Sequence, residues 1–156
     1  MPLHIVLVEP EIPPNTGNIA RSCAATGTVL HLVKPLGFSI DDKTVKRAGL
    51  DYWPFVKLEI HENLNEFLQK YGDRRMHLAT TKGILRHTEA DFMDEDMILF
   101  GKETAGLPSD LLEERRHQTI RIPMAEDVRL RSLNLSNSVS IVLFEALRQL
   151  DFPNLK

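Results

Sequence analysis

Apolar residues gather along this chain in short blocks of strand length. Residues 3–8, Val29–Val33, 76–80, Met97–Phe100 and 119–122 are near-continuous apolar runs, the pattern of strands buried on both faces of a parallel sheet. Residues 56–60 alternate and predict one more strand. Between these blocks the period lengthens to that of a helix. Helices are expected over 19–26 ending at Gly27, over 42–48 ahead of Gly49, over Leu64–Tyr71 ahead of Gly72, and over 109–116 behind Pro108. This alternation predicts an α/β fold, a mostly parallel sheet flanked by helices.

The last helix, expected over 137–150, carries a broader apolar surface. Val139, Val142, Leu143, Ala146, Leu147 and Leu150 share one face, and Ile141 and Phe144 lie beside it. Such a stripe is wider than one contact needs. Two readings stand open: a helix sunk in the core, or a helix that packs on the sheet and on a partner subunit. Pro153 ends any helix, and the final residues are expected to be loose.

Composition narrows the class. A chain of 156 residues with 42% apolar content suits one domain, 1–156, around one core. No apolar run approaches bilayer length, and the first residues lack a basic stretch followed by a long apolar one. A soluble, cytoplasmic protein without membrane association is therefore expected. A single cysteine, Cys23, excludes an internal disulfide. The six histidines, from His4 to His117, never fall at the close spacings of a metal site, so no metal is expected and each is read as a surface or packing residue. A net charge of -3 argues against a dedicated nucleic-acid binder. Local basic groups offset that argument: Lys43, Lys46 and Arg47; Arg74 and Arg75; Arg115 and Arg116; Arg129 and Arg131. Such pairs are more often solvated surface than RNA contacts.

Three loops combine glycine, proline and short polar residues directly after predicted strands, where open α/β sheets bind ligands. The first reads E-P-E-I-P-P-N-T-G-N-I-A-R over residues 9–21. Its prolines stiffen it, Asn15 or Asn18 is expected to cap the next helix, and Arg21 is placed one turn into that helix as an exposed residue or a phosphate clamp. The second, F-G-K-E-T-A-G-L-P over 100–108, has Gly101 and Gly106 to let backbone approach a ligand. Its Glu103 is either a solvated loop residue or the anion at a helix start. The third runs from Arg121 to the broad helix, with Asn134, Ser136 and Asn137 at the helix N-terminus, where capping and ligand binding are both open readings. Neither a G-x-G nor a G-K-[ST] fingerprint occurs, which disfavours nicotinamide, flavin and nucleoside-triphosphate enzymes and Rossmann-type methyltransferases.

Taken in order, N-T-G-N-I-A-R, F-G-K-E-T-A-G-L-P and I-P-M followed by S-L-N-L-S-N-S resemble the three motifs of SPOUT RNA methyltransferases. K-P-L-G-F-S-I-D-D-K, K-R-A-G-L-D-Y-W and E-A-L-R-Q-L extend the likeness over nearly the whole chain, toward the single-domain tRNA (cytidine/uridine-2'-O-)-methyltransferases of the TrmL/YibK family. The resemblance implies a C-terminal deep trefoil knot, a homodimer with its active site at the subunit interface, S-adenosylmethionine as cofactor, and the anticodon region of tRNA as substrate. Carried across by motif, Ala79, Gly101, Ile122, Met124, Ser132 and Leu133 would contact the cofactor. Asn15, Arg21, Glu103, Ser136 and Asn137 would face the RNA and the methyl-transfer centre. Lys102, Ala105 and the segment 128–132 depart from the usual family pattern. Methylation of ribosomal RNA, or a non-catalytic RNA-binding factor on the same fold, are the alternative readings.

Overall fold

All five near-continuous apolar runs become strands, and they are largely buried because both faces of the sheet are covered. The computed structural model describes residues 1–40, 43, 47 and 53–156. In chain order the strands are β1 (His4–Val8), β2 (Val29–Val33), β3 (Leu58–His61), β4 (Met76–Ala79), β5 (Leu85–Arg86), β6 (Met97–Phe100) and β7 (Thr119–Arg121). The helices are α1 (Pro13–Thr26), α2 (Leu64–Tyr71), α3 (Ser109–Glu114) and α4 (Leu135–Gln149). The strands form one sheet in the order β3-β2-β1-β6-β4-β7-β5, and every pairing between them is parallel.

On one face, Ile5, Leu7, Leu30, Leu32, Ile98 and Phe100 meet Ile19, Ala20 and Cys23 of α1 and the inward side of α4. On the other, Val6, Val8, Val33, Leu78, Met97 and Leu99 pack under Phe67 of α2 and Leu111 of α3. The broad stripe of α4 divides between two environments. Val139, Val142, Leu143, Ala146 and Leu147 are buried, whereas Ile141 and Phe144 remain 39% and 47% exposed.

α1 starts at Pro13, six residues before the apolar period suggested. Pro13 and Pro14 occupy its first positions, where a missing N–H costs nothing, and the first turn buries polar Asn15 and Thr16 instead of apolar side chains. The helix is flanked by Ile12, which makes no side-chain cap, so neither Asn15 nor Asn18 caps it; both lie inside it. Gly27 closes α1 in the left-handed region (φ 69°), as its position predicts. α3 ends two residues short of expectation and passes into a 3-10 turn, Arg116–Gln118. The helix expected over 42–48 lies outside the described residues, apart from Lys43 and Arg47, which are exposed.

β4 and β5 lie on opposite sides of β7, with Ala79 and Leu85 both in register with Ile120. Residues 80–84 therefore cross over β7. Gly83 sits at the crossing, where a Cβ would come 2.2 Å from the carbonyl carbon of Ile120, so a side chain has no room there. Thr80 N–H donates to Ile120 O at 2.9 Å and Arg121 Nη1 donates to Gly83 O at 2.8 Å, fastening the bridge.

Candidate active site

The crossing and the two loops that follow β6 and β7 enclose a cavity of about 520 Å³ at the C-terminal ends of β4, β6 and β7. This is the edge where parallel sheets collect ligands, and the volume lies within the usual range of roughly 300–1,000 Å³ for small-molecule sites. Ile120, Leu107 and Val142 contribute apolar wall, and Thr80, Ser132 and Ser138 contribute polar wall. All six residues expected at the cofactor line it: Ala79, Gly101, Ile122, Met124, Ser132 and Leu133. Asn15 and Glu103 line it too, but Arg21, Ser136 and Asn137 do not.

The loop after β6 folds back on itself. Gly106 N–H donates to Lys102 O at 2.8 Å, with Gly106 at φ 72°. A Cβ on Gly101 would lie 1.9 Å from the Gly106 carbonyl carbon and 2.1 Å from Leu107 N. A side chain at Gly101 would therefore meet its own loop, because the tight reversal puts backbone against backbone, and Gly101 keeps its place on the cavity wall.

Glu103 is the anion at a helix start, but the helix is distant in sequence. Its Oε1 accepts from Glu11 N–H at 2.9 Å, and its Oε2 accepts from Ile12 N–H at 2.9 Å and Asn15 Nδ2 at 3.1 Å. These donors surround the N-terminus of α1, whose leading residues supply no cap of their own, so the carboxylate satisfies orphan N–H groups and meets the positive end of the helix dipole. The clasp is reciprocal: Glu11 Oε1 accepts from Thr104 N–H at 3.0 Å and from Thr104 Oγ1 at 2.7 Å. Those two hydrogen bonds hold the Glu11 carboxyl below its ordinary pKa.

Asn15 connects this clasp to the third motif. Its Oδ1 accepts from Asn134 Nδ2 at 3.0 Å, while Asn134 Oδ1 caps α4 by accepting from Ser136 N–H at 2.9 Å, Asn137 N–H at 3.4 Å and the Ser136 hydroxyl. One polar chain, Glu103–Asn15–Asn134–Ser136, thus joins segments more than a hundred residues apart in sequence. For Ser136 and Asn137 this is the capping geometry.

Arg21 stands apart. It lies eight residues past Pro13, about 12 Å along the axis and not one turn in, and it is exposed. Its neighbour Ser22 approaches Ser140 of α4, Oγ to Oγ, at 3.5 Å, and that helix also carries the exposed Ile141 and Phe144. Several of the basic residues make pairings within the chain. Arg75 bonds Asp96, Arg74 lies 3.7 Å from Glu95, Arg115 donates to Gly72 O, and Arg129 pairs with Asp127. Arg131 remains on the cavity wall with Lys102 and Arg121. Sequence reasoning passed over Thr80, Thr81 and Ser138; the first two carried a usable signal, since they directly follow β4.

Residues 2–144 match the SpoU rRNA Methylase family. The chain belongs to that family. It is 52% identical over 149 residues to the tRNA (cytidine(34)-2'-O)-methyltransferase of Methylovorus glucosotrophus (strain SIP3-4), covering 95% of this chain and 96% of the relative. Among solved structures it resembles one described under the 2-OH methylation of C/U34 on tRNA, at 45% identity and a TM-score of 0.89 over 96% of both chains. It also resembles the AdoMet-bound rRNA methyltransferase from Sinorhizobium meliloti, at 25% identity and a TM-score of 0.85, over 96% of this chain and 57% of the other. The clasp and the cavity described above are therefore features of a SpoU-family domain.

Proposed function

We propose that this chain methylates the ribose 2'-hydroxyl of the cytidine or uridine at tRNA position 34, using S-adenosylmethionine and acting as a cytoplasmic homodimer. The observation that carries this reading is the near-complete mutual coverage with the cytidine(34) enzyme, whereas the chain spans about half the length of the rRNA methyltransferase. The cavity suits the cofactor: its volume is adequate, and its mixed apolar and polar lining offers surfaces for an adenine and a methionine chain. Ala79, Gly101, Ile122, Met124, Ser132 and Leu133 would hold it. When bound, the cofactor supplies a methyl group already activated on sulfonium sulfur, so the protein's part is alignment and removal of one proton.

Arg21 is assigned as the clamp on a substrate phosphate, stabilising charge on the attacking oxygen; a guanidinium does not serve as a base. Glu103, engaged by three donors, is assigned a positioning role, as are Asn15, Ser136 and Asn137. The proton then passes to a phosphate oxygen or water. Because Arg21 lies outside the cavity of its own chain, on the helix that packs against α4, a second copy covering the exposed Ile141 and Phe144 would complete the site with one chain's clamp beside its partner's cavity. The crossing of residues 80–84 over β7, with α4 beyond β7 returning to pack on α1, supports the deep trefoil knot. No helix among the described residues is long and apolar enough to cross a membrane.

The deciding experiment is transfer of labelled methyl groups into total RNA, followed by nucleoside and position mapping. Label at tRNA position 34 is expected; label confined to ribosomal RNA, or no transfer, would overturn the reading. Light scattering tests the dimer: Phe144→Asp, at a half-exposed site, should yield a folded monomer.

A further inference from the structure

On the sheet face covered by α2, away from the cavity, three histidines form a diagonal row across β1, β2 and β3. His4, His31 and His61 are 8%, 0% and 3% exposed. His4 Nδ1 lies 2.9 Å from His31 Nε2, and His31 Nδ1 lies 3.0 Å from His61 Nε2. Glu59 stands beside His31 in the parallel register and two residues before His61, so its carboxylate shares their face. Its oxygens accept from Tyr71 Oη at 2.7 and 2.9 Å and from Lys70 Nζ at 3.1 Å. Phe67 and Tyr71 pack edge-on against the His31 and His61 rings. One donor atom from each of His31, Glu59 and His61 falls within 4.8 Å of the others.

We propose that His31, Glu59 and His61 bind one divalent transition-metal ion of the zinc class, with His4, Tyr71 and Lys70 as outer hydrogen-bonding partners. Two imidazoles and a carboxylate are a recognised zinc donor set, with metal–nitrogen bonds of about 2.0–2.1 Å. At a tetrahedral angle two such bonds separate their nitrogens by roughly 3.3 Å, and the His31 and His61 nitrogens already stand 3.0 Å apart. An ion between them replaces one N–H···N bond. The His31 proton then sits on Nε2 and donates to His4 Nδ1, the outer bond that ligating histidines usually make. Glu59 has lone-pair capacity beyond its Tyr71 and Lys70 bonds, and its side chain is 34% exposed, giving an ion a way in. Burial lowers the pKa of both histidines, which keeps them in the neutral form that metals require. The bound ion would tie the edge strand β3 to β2.

The test uses tag-free, chelator-stripped, full-length protein titrated with Co²⁺, a spectroscopic stand-in for Zn²⁺. One equivalent per chain should produce the visible absorption band of four-coordinate Co²⁺, and Zn²⁺ should displace it. His61→Ala and Glu59→Gln should abolish the band, and His117→Ala, at an exposed histidine, should keep it. His4→Gln should keep the band but weaken affinity by about 10- to 100-fold. Circular dichroism monitors folding, and if His61→Ala unfolds, the near-isosteric Glu59→Gln decides alone. A wild-type protein without a saturable band, or a band that survives in Glu59→Gln, would overturn the proposal. The readout is independent of methyl transfer, so it stands or falls separately from the proposed activity.

Discussion

The cavity and the histidine row are both polar clusters assembled from distant segments, yet they are built on opposite terms. The cavity sits at strand ends, on loops whose polar groups mostly hold backbone: Glu103 the start of α1, Asn134 the start of α4. Glu103 and Asn134 keep some exposure on those loops, so a lost partner there is replaced in part. The row lies on the strands themselves beneath α2, where each ring nitrogen between His4 and His61 must find its partner in the protein. Loop chemistry is therefore tolerant in stability and exacting in function, and strand chemistry the reverse.

Arg21→Ala probes the functional side most strongly. Removing a donor to the transition state should cut methyl transfer by about 10²- to 10³-fold while leaving S-adenosylmethionine affinity within about twofold, as read by single-turnover kinetics and calorimetry. Arg21→Lys should recover only part of the rate, because it keeps charge without the forked geometry. Wild-type transfer by Arg21→Ala at saturating substrates would remove the clamp from the mechanism.

Gly101→Val breaks the contrast from the other direction. Its Cβ meets the Gly106–Leu107 backbone, so the loop must open and the variant should lose roughly 2–3 kcal/mol of stability along with cofactor binding. Unchanged thermal stability with weakened binding would instead place that side chain in ligand space.

Glu103→Gln should be milder, costing about 1–2 kcal/mol, because one amide oxygen retains part of the hydrogen bonding while the charge at the α1 dipole is lost. Asn15→Ala removes the link to Asn134 and should be partly non-additive with it in a double-mutant cycle.

The smallest effect is on pH dependence and belongs to the row. His4, His31 and His61 all have pKa values lowered chiefly by burial, so the unfolded chain binds more protons than the folded one as pH falls below about 6.5. In chelator, melting temperature should hold above that point and decline from there toward pH 5. Asp96 adds a later loss: burial raises its pKa, but hydrogen bonds from His77 and Arg75 outweigh that and hold it below the ordinary value. A flat profile between pH 6.5 and 5 would mean the row is protonated without cost.

Much of this architecture was legible in the pattern of residues. The runs at Val29–Val33 and Met97–Phe100 became strands with those bounds, Gly27 closed α1, and the six cofactor candidates lie on one cavity. β5 was missed because two exposed residues carry no period, and the start of α1 because its first buried residues are polar. The partner of Glu103 was invisible, since its donors at Glu11 and Ile12 are backbone groups some ninety positions away.

Sequence alone determined the local states: which segments are strands, where glycine and proline end or begin helices, and which three loops carry the ordered motifs. Those depend on periodicity and backbone preference within a few residues. Tertiary structure decided what meets what. The passage of residues 80–84 over β7 set the cavity, and the parallel register of β2 and β3 put Glu59 beside His31. Spacing along the chain could not reveal a donor set gathered from neighbouring strands, because strand order is chosen by the burial of whole faces, and that is a property of the assembled sheet.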